Sequence, residues 1–172
     1  VVKIMESLTL HMMNTEFYIE LPSSSDSWKE YVTNWLSYVA NEWSRFIPNN
    51  ELDQINQLPI GKTLKINPFL YDCLKKANEY YKKTEGLFSP YLKRQIESQG
   101  YVQSFPFKVG KQIKQQNESE NPIAKNPIDF LDNHEILKVT NQTIDLGGFA
   151  KGYAVEHIKK WLQDQSFPYG IV

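Results

Sequence analysis

The sequence predicts a mixed α+β fold, with strand hairpins interleaved among packed helices. Three observations carry that expectation. Apolar residues alternate at Leu8, Leu10 and Met12 and again at Phe17, Ile19 and Leu21, the period of two that belongs to half-buried strands. Three longer stretches repeat their apolar residues at the 3.6-residue spacing of amphipathic helices. Strand-like and helix-like stretches do not follow one another in the uniform series that a doubly wound parallel sheet requires.

The elements follow in chain order. Asn14 separates the two alternating runs, so the first element is a hairpin with Met13 and Thr15 at its tip. After the turn-forming "PSSSDS", Trp28, Tyr31, Val32, Trp35, Leu36, Val39 and Trp43 share one helix face. Ser27 and Glu30 open that helix as a capping box, the hydroxyl accepting a first-turn N–H while the carboxylate reaches back to the cap. "RFIPNNELDQINQLP" is read as a turn with one helical turn at 51–55, followed by a short strand at 63–66. Asn67 caps a second helix and Pro68 takes its first position, where a missing N–H is harmless. Leu70, Cys73, Leu74, Ala77 and Tyr81 form its buried stripe, which Gly86 ends.

Residues 107–126 shift to Lys, Gln, Asn, Glu and Ser without periodicity and are read as a mobile surface loop. Segments 136–139 and 143–146 flank Asn141-Gln142 as a second hairpin. The third helix buries Ala150, Tyr153, Ala154, Ile158, Trp161 and Leu162, and the closing "FPYGIV" reads as a returning strand.

Length and composition limit the function classes. The chain has 172 residues, enough for one domain spanning 1–172. A net charge of −1 with interspersed lysines supplies no field for nucleic acid or an anionic lipid surface. The single Cys73 excludes an internal disulfide, and its helical spacing makes it a core residue in preference to a reactive thiol. No apolar run approaches the ~20 residues of a membrane-spanning helix, and the N-terminus lacks the pattern of a signal peptide. Val1 and the strand-like last residues indicate a chain cut from a longer one. His11, His134 and His157 read as strand, loop and helix-face residues with structural or solvated roles.

The stretch "TIDLGGFAKGYAVEHIKKWL" carries the chemistry. An apolar run stops at Asp145, passes through Gly147 and Gly148, and enters a helix with Lys151 in its first turn. The free N–H groups of a helix start carry partial positive charge. Adjacent glycines let a phosphate or a metal-bound oxygen approach the backbone, and Lys151 can add a full charge there. Asp145 can accept a hydrogen bond from a ligand hydroxyl or amine. The architectural alternative is that Asp145 caps the helix and the glycines relieve a tight turn. A Walker A loop is excluded, because Tyr153 and Ala154 stand where its Lys and Ser/Thr belong. The dinucleotide fingerprint also fails, since nothing matches its second glycine.

"IDLGGFAKGYAVEHI" resembles the signature of the ApbE family, the FAD:protein FMN transferases. Three further segments agree in family order. "MNTEFYIE" is similar to the family's Met-Gly-Thr segment, "EWSRFIPNNELDQIN" to its S-x-F/Y-x-x-x-S-E-[LI]-x-x-[LIF]-N segment, and "TEGLFSPYL" to its G-[AL]-[FL]-D-P-T segment. The resemblance implies FAD as substrate, a magnesium ion, transfer of FMN through its phosphate to a threonine of an acceptor protein, and release of AMP. It implies that Met13 and Phe46 lie against the flavin, that Leu87, Phe88 and Ser89 line the FAD cleft, and that Asp145 and Lys151 contact FAD. Gly148 takes the place whose backbone carbonyl faces the magnesium. The implied acceptor is a membrane redox complex or an extracellular flavoprotein. Members occur in the bacterial cytoplasm or lipid-anchored at the outer face of the inner membrane, and the sequence does not choose between them.

Departures from the pattern are specific. Asn14 stands for the usual Gly, Ser89 for Asp and Asn50 for Ser. The family's Asp and Thr magnesium ligands and its histidine-bearing "H-I-x-D-P-x-T-G" segment lie beyond the region represented, so no catalytic residue is assigned. The expectation is a chain that by itself binds flavin weakly without transferring it. A non-catalytic flavin-binding protein of the same fold is the alternative reading.

Overall fold

The computed structural model describes residues 4–22, 27–102 and 126–167. The chain divides into two compact units, Val1–Asn41 with Ala150–Val172, and Glu42–Phe149. The elements are mixed α+β, as the periodicities predict.

In the first unit, β1 (Met5–Met12) pairs antiparallel with β2 (Thr15–Pro22), setting Leu8 opposite Ile19 and Leu10 opposite Phe17. Phe17, Ile19 and Leu21 are buried, so the period of two marks a buried face of β2. The connection is only Met13 and Asn14, and Thr15, expected at the tip, is already paired with Met12. Both turn residues are left-handed, with φ of 50° and 56°. That is the pattern of a type I′ turn, whose twist matches that of the flanking strands. Asn14 tolerates this backbone; a methionine there is strained by about 1 kcal/mol.

Two helices complete this unit. α1 (Ser27–Glu42) buries Trp28, Val32, Trp35, Leu36 and Val39, with Glu30 in its first turn. α5 (Ala150–Asp164) buries Ala150, Ala154, Ile158 and Leu162. Tyr31, Tyr153 and Trp161 are only half-buried. The small Ala154 lets the helices approach, and the Trp35 indole N–H donates to its carbonyl at 3.1 Å. Trp161 stacks on Tyr31 with centroids 3.8 Å apart. His157 Nε2 lies 2.8 Å from the Tyr31 hydroxyl and its ring centroid 4.0 Å from that of Trp35. His157 is therefore a packing residue, and His11 is an exposed strand residue facing Glu16.

The second unit holds α2 (Glu51–Gln57), β3 (Thr63–Lys65), α3 (Pro68–Lys83), α4 (Lys93–Ser98), β4 (Ile128–Phe130) and β5 (Glu135–Lys138). Its antiparallel sheet runs β3-β5-β4. α3 starts as predicted: Pro68 opens it and the Asn67 side chain accepts the Phe69 N–H at 2.9 Å. Leu70, Cys73, Leu74 and Ala77 are buried, and burial pushes the Cys73 thiol up, so it stays protonated. The stripe continues to Asn78, not to the half-buried Tyr81, because Asn78 Oδ1 accepts the hydroxyl of buried Tyr91 at 2.7 Å. The helix stops before Gly86, at Lys83 with Thr84 as its cap; Glu85 (φ 52°) and Gly86 (φ 86°) turn the chain away, and the Gly86 N–H bonds the Tyr81 carbonyl at 3.0 Å.

The second predicted hairpin does not form. β5 pairs with β3 and β4, while residues 143–146 belong to no strand. Their backbone is satisfied singly instead. Asp145 N–H bonds the Pro90 carbonyl at 2.8 Å, and Lys93 N–H the Thr143 carbonyl at 3.3 Å. The Asn56 amide accepts the Ile144 N–H at 2.6 Å and donates to the Ile144 carbonyl at 3.0 Å. One side chain thus replaces the peptide of a neighbouring strand. α2 extends two residues past its predicted end. α4 and β4 were not legible, α4 having no fully buried residue and β4 only three residues. Residues 107–125 of the predicted loop and the closing strand at 168–172 lie outside the described residues.

Candidate functional site

The Asp145–Phe149 turn builds itself from its own side chain. Asp145 Oδ1 accepts the Gly147 N–H at 2.8 Å, closing an Asx turn. Phe149 N–H then bonds the Leu146 carbonyl at 2.9 Å, and α5 begins at Ala150. The two glycines differ. A Cβ on Gly147 would stand 3.1 Å from Asp145 Oδ1, so a side chain there would press on the carboxylate that closes the turn. A Cβ on Gly148 would meet only Phe88 Cε2 at 3.9 Å, an ordinary contact. Both glycines are exposed.

Arg45 joins this turn to an aromatic. Its Nη1 donates to Asp145 Oδ2, its Nη2 donates to the Tyr101 carbonyl at 3.2 Å, and Cζ lies 4.6 Å from the Phe46 ring centroid. The turn before α2 fixes this pose. Ser44 Oγ accepts the Phe46 N–H at 3.2 Å, and Asn50 Nδ2 donates to the Ser44 carbonyl at 2.7 Å. Asn50 Oδ1 caps α2 by accepting the Asp53 N–H at 2.8 Å. Asn50, which departs from the family's Ser, therefore caps with its oxygen as a serine does and braces the arginine turn with its nitrogen. Phe46 keeps 40% of its surface exposed.

The loop after α3 supplies Leu87, Phe88 and Ser89. Thr84 holds it, its carbonyl accepting the Leu87 N–H at 3.0 Å and its hydroxyl the Phe88 N–H at 3.1 Å. Leu87 is 96% exposed. Phe88 packs on Phe149 with centroids 5.7 Å apart, and Phe149 on Tyr80 at 5.6 Å. Ser89 Oγ accepts the Tyr91 N–H at 3.2 Å.

Six of the residues expected in the site, Phe46, Leu87, Phe88, Ser89, Asp145 and Gly148, thus lie in the Glu42–Phe149 unit. Arg45 links Phe46 to Asp145, and Phe88 neighbours Gly148. Met13 at the hairpin tip and the exposed Lys151 in the first turn of α5 belong to the other unit.

Sequence reasoning passed over three residues. Arg45 was hidden in the variable position beside Phe46, and Asn56 in a polar helix face. Lys138 follows Ile136 at the inward spacing of β5, a pattern that could have marked it. It is buried, with Nζ donating to the carbonyls of Gln142 at 2.8 Å and Ile55 at 3.4 Å. Burial, then the charge of Arg94, lowers its pKa to about 8.

The donor set suits a flavin nucleotide better than a metal. An exposed aromatic, a guanidinium and open backbone at Gly148 offer stacking and anion contacts. Among the described residues no group of three or more His, Cys, Asp or Glu could hold a metal ion. Asp145 is committed to Arg45 and Gly147, so the described residues do not by themselves make a magnesium site.

The solved flavin transferase ApbE from Vibrio cholerae is similar in fold, with a TM-score of 0.79 at 16% identity, covering 98% of this chain and 56% of that one. The apo flavinyl transferase ApbE of Pseudomonas stutzeri gives 0.73 at 16% identity, with 94% and 54% covered. The ApbE protein of Thermotoga maritima gives 0.66 at 19% identity, with 91% and 52% covered. The chain spans about half the length of these solved structures. A search of the curated proteins found no match. A sequence model of the ApbE family matches residues 13–172. With that model matching nearly the whole chain and the fold in agreement, the chain belongs to the ApbE family.

Proposed function

We propose that this protein binds FAD and serves the transfer of FMN from FAD to a threonine of an acceptor protein, with release of AMP. In that reaction the threonine oxygen gives up its proton to solvent or a base and bonds to the phosphorus on the FMN side, the bond to the bridging oxygen breaks, and AMP leaves carrying that oxygen. The observation that carries the reading is a single cluster in which Arg45 touches both exposed Phe46 and the Asp145 carboxylate of the glycine turn. Phe46 and Met13 offer the flat, polarizable contacts an isoalloxazine ring needs. Gly148 and Lys151 offer a phosphate backbone approach and a cation. Leu87, Phe88 and Ser89 line the cleft in this reading, and Asp145 orients the turn.

Magnesium belongs to the reading by resemblance, with the Gly148 carbonyl as one ligand. The acceptor is a flavoprotein with an accessible threonine, of the membrane redox or extracellular kind. Among the described residues no helix is long and apolar enough to cross a membrane.

The test is direct. The intact protein is incubated with FAD, magnesium and a threonine-bearing acceptor, and covalent FMN and AMP are measured. Lys151→Ala and Asp145→Ala, each checked for folding, are expected to weaken FAD binding. Unchanged affinity in both contradicts the site. FAD binding without any covalent product favours the alternative, a flavin-binding protein of this fold that lacks transfer chemistry.

A further inference from the structure

The Arg45 guanidinium is held at two of its three nitrogens. Nη1 donates to Asp145 and Nη2 to the Tyr101 carbonyl. Nε is buried and, among the described residues, has no acceptor. The ion pair is the less exposed kind, with 13% of the arginine side chain and 9% of the aspartate side chain accessible. A buried N–H on a permanent cation lacking an acceptor is costly, and proteins rarely leave such a donor unmatched. An arginine whose only task was to neutralise Asp145 would also be expected to use its paired donors on both carboxylate oxygens. Here the contact is one-pronged, Nη1 reaching Oδ2 alone while Oδ1 accepts the Gly147 N–H, and the fork is left with a donor to spare.

The position of that donor matters. The guanidinium lies over Phe46, the exposed aromatic of the cluster, and is tied to the turn that carries open backbone at Gly148. Asp145 engages Arg45 through Oδ2 and the Gly147 N–H through Oδ1 and has little exposed surface, so its place in the cluster is to hold Arg45 and the turn. We infer that Arg45 is a specificity-determining residue whose Nε–H receives an acceptor oxygen of the flavin nucleotide, with Asp145 acting through it as a positioning residue. This rests on the flavin reading above and adds a named contact to it. The acceptor is either a phosphate oxygen or a carbonyl of the isoalloxazine ring, and the two are separable.

The experiment compares Arg45→Lys and Arg45→Gln with the wild type, using riboflavin, FMN and FAD as probes. Lysine can keep the charge and the contact to Asp145 but has no Nε–H equivalent. A charge-assisted hydrogen bond is worth about 1.5–3 kcal/mol, or roughly 10- to 100-fold in affinity. Arg45→Lys is expected to lose affinity by that factor, nearly as much as Arg45→Gln, while melting close to the wild-type temperature. Loss for FMN and FAD but not riboflavin assigns the acceptor to the phosphate; equal loss for all three assigns it to the ring. Wild-type affinity in Arg45→Lys overturns the inference and leaves flavin binding standing, because the ion pair alone would then suffice. Absence of flavin binding in the wild type overturns both.

Discussion

The hairpin-and-helix unit and the 42–149 unit are held together in different ways. In the first, cohesion is repetitive: an eight-residue antiparallel ladder and two helices meeting through Trp35, Ala154, Tyr31 and Trp161. In the second, the segment that presents Asp145 and the glycine turn is secured by single side chains. Asn56 grips Ile144, Lys138 holds the Gln142 carbonyl, and Arg45 holds Asp145. Repetition spreads stability over many contacts. Individual clamps concentrate it, and they leave a short segment whose pose can be set by a ligand.

The comparison is broken most severely from the packed side. Trp35→Ala removes a buried indole and its bond to Ala154, and is expected to cost about 3–5 kcal/mol by chemical denaturation. A loss below about 1 kcal/mol would mean that the helix contact contributes little. On the clamped side, Asn56→Ala leaves the Ile144 N–H and carbonyl unpaired and is expected to cost about 1–3 kcal/mol. Asn56→Asp, which keeps the acceptor for the Ile144 N–H, is expected to retain part of that. Equal losses in the two variants would show that the bond accepted from the Ile144 N–H contributes nothing on its own.

The hairpin tip sharpens the contrast further. Met13→Asn relieves a left-handed methionine and is expected to stabilise the hairpin by up to about 1 kcal/mol, while flavin affinity falls if Met13 lies against the ring. A gain in both stability and affinity would remove any functional reason for the strained residue. A pH-dependent effect belongs to Lys138. Its pKa is about 8 when folded against an ordinary 10.5. Between those values the unfolded chain binds more protons, so this residue's contribution to stability rises as pH climbs from about 8 to 10.5. Below about 8 both states are charged and no slope is expected. The stability difference between wild type and Lys138→Met, followed across that range, should move in favour of the wild type. A flat difference would contradict the burial of a charged amine.

Legibility divides along the same line. Leu8 to Leu21, the Trp28 to Val39 stripe and the Asn67-Pro68 start were readable because each follows a period or a capping rule. The 143–146 segment misled because Ile144 and Leu146 carry the burial of a strand while its backbone partners are the Asn56 side chain, the Pro90 loop carbonyl and the Lys93 N–H at the start of α4. Arg45 could not be found, since its contacts to Asp145 and Phe46 join positions 100 residues apart and adjacent ones with no periodic signal. Lys138 was within reach, as an inward position on a strand, but a lysine there reads as an exception to its own pattern. The glycine turn was legible as a turn leading into a helix, though not the difference between its glycines, crowded by Asp145 at Gly147 and open at Gly148.

Gly148→Val offers the sharpest measurement. The described fold leaves room for a Cβ at this position, so added bulk meets mainly whatever approaches the backbone. Flavin fluorescence is followed as FAD is titrated into the wild type and into Gly148→Val of matched thermal stability. The account predicts a saturable change in the wild type and an affinity at least roughly tenfold weaker in the variant, the worth of about 1.4 kcal/mol. Identical titrations, or no change with either protein, would contradict a flavin nucleotide seated at this turn.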